Sequence, residues 1–596
     1  MQEDKPTARP APTTLALGLM PHGASPTSHW AAGPWCFAGQ EDLFPHWEDN
    51  FHFAAEPLRN APALAEAAVQ QAKNLCAELL PALGRELCPH SQDLPPAYWE
   101  TLLAPWAIIM AQQVVERWLR VRAMCQQWGD TPLCVPLLPA DCHFDFAQEQ
   151  DVVLYGVQGA AFNHWLFSRL LELHWPAAWR REMLPSCQHS FCHPRPQESV
   201  LRRWLRQTQF ALPCPRLKGM SSGQALRFSL ALLHPSHGED QSRSLSAYQA
   251  TGMGGQTDAT RTDLGWDVPT EVSLALFRAA LPRSLRQLRH PASIRPTHRP
   301  RCRIASIHAY EDADYRQRLA LWRGRGHRLV WVQHGGNYGQ SRLACASAVV
   351  EYSQHAFITW GWDRHDASPG RFIPLPSLQL ARLRDTRVAP PPGHGKLVFV
   401  GNELYAVGCR LDAHPTPLQV VASRKAKADF FAALPGTVQA ASLYRPYFPL
   451  PGSLEDATWL LPRFAQVRLC TGPLLPHLLG CRLLVLDHPG TTLLEALTAN
   501  IPCILFWDRQ AWTQTPEADA LLDGLAAAGI WQPGPQAAAR TVTSIWEAPD
   551  DWWQQPARQE ARRAFCRRYA LTGDASPGSP QQGSPDSLWL QILQTL

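Results

Sequence analysis

A chain of 596 residues is too long for a single hydrophobic core, so two or more domains are expected. Its formal charge of +4 is small for this size and argues against a nucleic-acid partner recruited by a basic field. Sixteen cysteines without a CxxC pair read as reduced, buried thiols of a cytosolic protein, and 24 tryptophans without a fixed period exclude a repeat architecture.

Residues 1–12 read as a disordered tail, with acids in MQEDKP where a signal peptide needs a positive region. Thr13–Met20 is a strand candidate and Trp35-Cys36-Phe37 a second. Ala63–Leu80 reads as a helix between Pro62 and Pro81, which suit a start and a stop. Tyr98–Arg122 is another, with Trp99, Leu102, Leu103, Trp106, Ile109 and Met110 at spacings of three and four, and Pro105 as its kink or true start. Leu102–Val115 is too short and too polar to span a bilayer, so any membrane contact is peripheral. Ala160–Leu173 is a third helix. Its Asn163 and His164 read as a satisfied buried pair or as an acceptor contact.

SCQHSFCH, with Cys187, His189, Cys192 and His193, is the densest group of potential metal ligands. No second half follows at finger spacing, and no metal is expected. Pro235–Asp263, rich in Ser, Gly, Gln and Thr, reads as a surface insertion. Arg283–Arg303 is basic and Pro-broken, a solvated strip suited to an anionic membrane or a polyanionic substrate.

Strands are expected at Ile304–Ile307, Leu329–Gln333 and Ala356–Trp360, with a helix over Asp312–Arg323. His334-Gly335-Gly336-Asn337-Tyr338-Gly339 follows the second strand, where glycines allow close approach of a ligand to the backbone. Residues 388–395, VAPPPGHG, are the best linker. A second series follows: strand Leu397–Val400 ending in Gly401-Asn402-Glu403, helix Arg424–Leu434, and strand Ala440–Tyr444 ending in Arg445. Leu483–Asp508 then reads as strand, loop, helix and strand, with Thr491 or Thr492 as the helix cap. Its loop offers backbone N–H groups, two hydroxyls and a positive helix end, a site for phosphate. Ala518–Ala528, Pro535–Trp546 and Asp551–Tyr569 read as helices, and residues 572–596 as a mostly flexible tail.

Two α/β series, a Pro-rich linker and a phosphate-type loop suggest two Rossmann-like domains of the GT-B kind with helical N-terminal additions. In that pattern 13–387 carries the acceptor and 396–571 the nucleotide. The chain also resembles the family of transferases associated with O-antigen and other bacterial surface-carbohydrate clusters. The resemblance rests on Gln333-His334-Gly335-Gly336-Asn337-Tyr338-Gly339, Thr359-Trp360-Gly361-Trp362, Thr491–Pro502, Phe506-Trp507, Trp552-Trp553 and Phe565–Tyr569. Shorter matches are Gly33-Pro34-Trp35-Cys36, His46-Trp47-Glu48-Asp49, Tyr98-Trp99 and Asn163-His164-Trp165. Together they span roughly Thr13 to Tyr569. The chain departs from the pattern at Ala161-Phe162 and Tyr444-Arg445-Pro446-Tyr447.

The resemblance implies transfer of a sugar from a nucleotide-linked donor to a polysaccharide or lipid-linked glycan acceptor, with no cofactor beyond the donor itself. It implies a cytoplasmic protein, peripheral to the inner membrane where it meets one. Thr491, Thr492 and Gly490 are expected at the donor phosphates with His488 and Asn402 beside them, Glu495 at the ribose, and Arg445 on a phosphate. His334 is the candidate general base or phosphate contact, with Glu311 or Asp312 as the competing base and Gln333, Gly335, Gly336, Asn163 and His164 on the acceptor side. A CDP-polyol phosphotransferase and a non-catalytic carbohydrate-binding or assembly protein are the alternatives.

Overall fold

The computed structural model describes residues 13–87, 94–194, 198–233, 263–288, 302–364, 370–391, 393–403, 405–408, 410–412, 415–447, 452–573 and 583–596. Residues 1–12 and the insertion expected at Pro235–Asp263, save Asp263, lie outside them, as do 289–301 of the basic strip. Within the described residues the fold is mixed α/β, and every strand pair in its sheets is parallel.

The N-terminal strands are β1 (Thr13–Ala16), β2 (His29–Ala31), β3 (Leu133–Leu137), β4 (His143–Phe146), β5 (Arg180–Met183) and β6 (Gln188–Phe191). One sheet has the order β2-β1-β3-β5, and β4 pairs with β6. A second sheet is built from β7 (Cys302–Ala305), β8 (Arg328–Val332), β9 (Ala356–Thr359) and β10 (Arg371–Pro374), in the order β10-β9-β8-β7. The stretch read as one α/β unit thus carries two separate larger sheets. In the second sheet, the buried runs of β7, β8 and β9 suit this parallel, helix-covered form.

The third sheet comprises β11 (Leu397–Val400), β12 (Ser442–Arg445), β13 (Arg468–Leu469), β14 (Leu483–Leu486) and β15 (Cys503–Leu505). Its order, β13-β12-β11-β14-β15, runs outward in both directions from β11. The switch point therefore lies between β11 and β14, the crevice where ligands sit in open α/β sheets.

Helices cover these sheets. Pro96–Trp128 is buried almost all round and packs on Pro62–Leu87 and on Ala313–Gly324. Both Pro81 and Pro105 lie inside helices rather than at their ends. Each costs one backbone hydrogen bond, which the burial of the paired helices outweighs. Pro34–Phe37 is a 3-10 turn, not a strand: Trp35 Nε1 donates to Leu17 O at 2.9 Å and packs the indole inward. The helix expected over Asp551–Tyr569 is broken into Pro549–Trp553 and Pro556–Tyr569, because Pro556 starts a new helix at its first position.

After Tyr569 the chain crosses back to the second sheet. Leu571 N donates to Trp360 O at 3.0 Å, and Leu571 O accepts from Ser377 N at 2.8 Å. Of the tail read as flexible, 583–596 contains a docked helix, Pro585–Thr595, capped by Ser584. Trp589 and Leu593, one turn apart, are buried with Leu596, and Trp589 Nε1 donates to Pro376 O at 2.9 Å.

Candidate active site

Residues following the carboxyl ends of β8, β11, β12, β13 and β14 line one cavity of about 880 Å³. Parallel strands from two sheets aim their ends at it, so loops distant in sequence meet there.

On the C-terminal side the site is built on a buried charge cluster. Asp487, directly after β14, accepts at Oδ1 from Asn402 N (2.9 Å) and pairs there with His488 Nδ1 (2.9 Å). This ties the ends of β11 and β14 across the switch point. Lys427, fully buried, donates to Asn402 O (2.7 Å) and Asp456 Oδ2 (2.5 Å), with Asp487 Oδ2 at 3.4 Å. Burial alone would raise Asp487 and lower Lys427. Lys427, His488 and the Asn402 N–H outweigh it for the acid, and Asp456 and Asp487 for the amine, so both stay charged. With Nδ1 held, Nε2 is the His488 atom left for a ligand.

The helix Thr491–Thr498 follows, and Gly490, not a threonine, occupies its N-cap. Thr491 Oγ1 instead accepts from Gly336 N at 2.8 Å, across from the other half of the cleft. Thr492 and Glu495 also line the cavity. Glu495 Oε1 accepts from Gln379 Nε2 at 2.5 Å and lies 4.0 Å from Lys218 Nζ. Burial raises this carboxyl, opposed by Lys218 and Gln379. Arg445 Nη1 is anchored on Cys470 O (3.0 Å) and Gly472 O (2.8 Å), while the residue lines the cavity. Glu403 lines it too, and burial, then Asp456, pushes its carboxyl up to about 7.

On the N-terminal side, Gln333 holds the loop rather than a ligand. Its Oε1 accepts from Trp360 N (3.0 Å) and Trp362 Nε1 (2.8 Å), and its Nε2 donates to Gly335 O (2.9 Å). His334, Gly335 and Gly336 reach the cavity. A Cβ on Gly336 would stand 2.5 Å from Gly490 C and Thr491 N, so only glycine permits this approach. Gly339 (φ 72°) is equally constrained, its Cβ position lying 2.3 Å from the Trp362 ring. Burial pulls the His334 imidazole down to about 4, and Glu311 opposes that shift.

Four expected residues stand elsewhere. Glu311 is 64 % exposed and pairs with His308. Asp312 caps Ala313–Gly324 by accepting from Tyr315 N (2.8 Å) and pairs with Arg206 (2.7 Å). Asn163 is fully buried in the core. Its Nδ2 donates to the Gly156 and Val157 carbonyls at the end of the π-helical turn Val152–Val157 and to the Gly159 carbonyl at the start of its own helix, and its Oδ1 accepts from Gln113 and Arg117. His164 Nε2 contacts Pro136 O at 2.9 Å, and burial lowers its pKa. None of the four lines the cavity. In SCQHSFCH the side chains disperse: Cys187 lies against Cys142, His189 on Phe144 and His193 on Tyr155.

Sequence reading missed Lys218, Glu403, Arg410 and Trp512, all of which line the cavity, and the Asp487–Lys427–Asp456 cluster beneath it. Glu403 stood one step past Asn402 at the end of an expected strand and was within reach. Lys218 comes from a loop 277 positions before Glu495 and carried no local signal.

A family model described as LIC12162 family transferase matches residues 13–581. No curated protein matches the sequence. Three solved structures show a distant likeness. Arabidopsis thaliana UGT89C1 is 11 % identical, with 82 % of this chain and 95 % of that one covered and a TM-score of 0.29. A Thermobaculum terrenum O-GlcNAc transferase mutant is 14 % identical, with 91 % and 86 % covered and a TM-score of 0.25. The spinosyn forosaminyltransferase SpnP is 12 % identical, with 46 % and 72 % covered and a TM-score of 0.25.

Proposed function

The chain belongs to the LIC12162 family of transferases, and on that premise we propose that it moves a sugar from a nucleotide-linked donor to a surface-polysaccharide acceptor of the O-antigen type. The observation that carries this reading is the junction of the His334–Gly336 loop with the Thr491 helix start inside one cavity. The cations Lys218, Arg410 and Arg445 stand on the walls of that cavity beside the helix start. That is the equipment for a diphosphate.

In this reading residues 396–571 carry the donor and 13–387 the acceptor, joined through 388–395. Thr491 and Thr492 hold the phosphates with Arg445, Asn402 and His488 near them, and Glu495 accepts from the ribose hydroxyls. His334 takes the proton of the acceptor hydroxyl as its oxygen bonds to the anomeric carbon. The bond from that carbon to the diphosphate breaks, and the nucleoside diphosphate leaves with the electron pair, stabilised by the cations and the helix end.

Membrane contact, in the same reading, is peripheral and cytoplasmic. No helix among the described residues is long and apolar enough to cross a bilayer. The helix Val200–Ala211 turns Leu201, Trp204 and Leu205 to solvent beside Arg202, a pattern suited to an anionic lipid surface.

The test is a thermal-shift titration of the full chain against CMP, CDP, UDP, GDP and dTDP. A ligand that binds only the native state raises its stability with concentration. A shift with one diphosphate, lost in Thr491→Val/Thr492→Val, supports the reading and names the donor base. No shift with any of them overturns it in favour of a non-catalytic role.

A further inference from the structure

Behind His334 lies a buried acid that no motif announced. Glu351 stands in the short π-helical turn Ala348–Tyr352 and is 2 % exposed. Its Oε1 accepts from Tyr310 Oη at 2.8 Å and from Tyr338 Oη at 2.9 Å. Tyr338 Oη lies in turn 3.2 Å from Nε2 and 3.3 Å from Nδ1 of His334. Either ring nitrogen therefore reaches the same hydroxyl. Among the described residues, Glu351 Oε2 is buried without a hydrogen-bond partner. An acid kept in the core with one oxygen idle is costly, and a glutamine or an apolar residue would fill the space at less cost.

We propose that Glu351 is a positioning residue that governs the proton affinity of His334 through the Tyr338 hydroxyl. The proposal rests on the reading of His334 as the group that takes the acceptor's proton. When the imidazole gains that proton, a ring N–H donates to Tyr338 Oη while Tyr338 keeps its own hydrogen bond to Glu351. An ionised Glu351 favours the imidazolium, and a protonated one does not.

The surroundings place that switch in a useful range. Burial pushes the Glu351 carboxyl up to about 8 against the two tyrosine donors, and Asp412 adds to the push. Facing His334 are Lys218 from the loop before Ser222–Leu233, His308, Tyr310 and Glu311 from the turn after β7, Tyr338 from its own loop, and Arg410 from the loop after β11. Facing Glu351 are Tyr310, Tyr338, Tyr352 and Asp412. Ionisation of Glu351 on the alkaline side of neutrality makes His334 a stronger base there.

The experiment uses the full chain with histidine labelled at 13Cε1, the His334 signal being assigned by its loss in His334→Gln. It is titrated from about pH 6 to about pH 10, where His334 itself does not titrate and any step comes from a neighbour. The expected result is a step near 8 in the unaltered protein, absent in Glu351→Gln and in Tyr338→Phe. With a donor in hand, kcat/KM rises through the same pH in the unaltered protein and stays flat in Glu351→Gln, while KM for the donor is unchanged. A step retained in Glu351→Gln overturns the proposal, as does activity lost by one factor at every pH. Where Glu351→Gln does not fold, Tyr338→Phe keeps the acid and removes the bridge, so loss or retention of the step decides. Coupling without nucleotide binding supports the Glu351–His334 link and refutes the transferase reading. Nucleotide binding without coupling does the reverse.

Discussion

Gly336 N donates to Thr491 Oγ1 at 2.8 Å, so a loop after β8 is pinned to the start of the helix after β14. The contact joins two sheets across the cleft and leaves no room for a side chain on Gly336. It makes the proposed diphosphate site a property of both halves together.

Gly336→Ala tests that junction. Its Cβ meets backbone atoms at 2.5 Å, so the loops must part. Nucleotide affinity is expected to fall about tenfold or more, and stability by about 1–3 kcal/mol. Calorimetric titration and urea unfolding measure the two. Affinity held at the original value would show that the donor does not need the junction.

Asp456→Ala tests the buried cluster. It removes the closest anion of Lys427, whose ammonium has no solvent to turn to. Breaking a buried pair on one side costs about 3–5 kcal/mol. Urea denaturation reads the loss. A change under about 1 kcal/mol would mean that Asp487 alone suffices for Lys427.

The pH dependence of stability follows from His334 and Glu351. The His334 pKa is lowered to about 4, so its contribution is present above the unfolded value of 6.5 and is lost as pH falls toward 4. The Glu351 pKa is raised to about 8, so its contribution is present below the unfolded value of 4.5 and is lost as pH rises toward 8. His334→Gln is expected to remove the loss of stability between about pH 6.5 and about pH 4, and Glu351→Gln the opposing loss between about pH 4.5 and about pH 8. Thermal melts across that range decide, and unaltered curves would contradict the burial of both groups.

Leu201→Glu/Trp204→Glu tests the exposed helix. The two residues are 64 % and 59 % exposed, so the substitutions spare the core. Co-flotation with vesicles containing anionic lipid is expected for the unaltered protein and not for the variant, with melting temperatures alike. Equal flotation of both would move the contact away from this helix.

Much of the third sheet was readable in advance. Leu397–Val400 and Leu483–Leu486 are strands at the residues expected, and the loop after β14 leads into a helix as its composition required. The helix cap was misread because a threonine before an apolar run looks the same whether it caps its own helix or accepts from another loop. Asn163 and His164 read either as a satisfied buried pair or as an acceptor contact, because polar residues in an apolar helix look alike from sequence. Beside the nearby Gly156, Val157 and Gly159 carbonyls, their partners Gln113, Arg117 and Pro136 lie 28 to 50 positions away.

The sequence by itself determined the α/β class, several strands of the second and third sheets and the long N-terminal helices, and it marked the His334 and Thr491 loops as chemistry-bearing. Those properties follow from local periodicity, turn residues and helix starts. Only the tertiary structure decided that the two loops touch, that Glu311 and Asp312 stand outside the cavity, and that Glu351, Glu403 and Lys218 join or adjoin the site. Burial, charge pairing and proton affinity are set by neighbours brought together through the crossing of sheets, and no local window of the chain contains them.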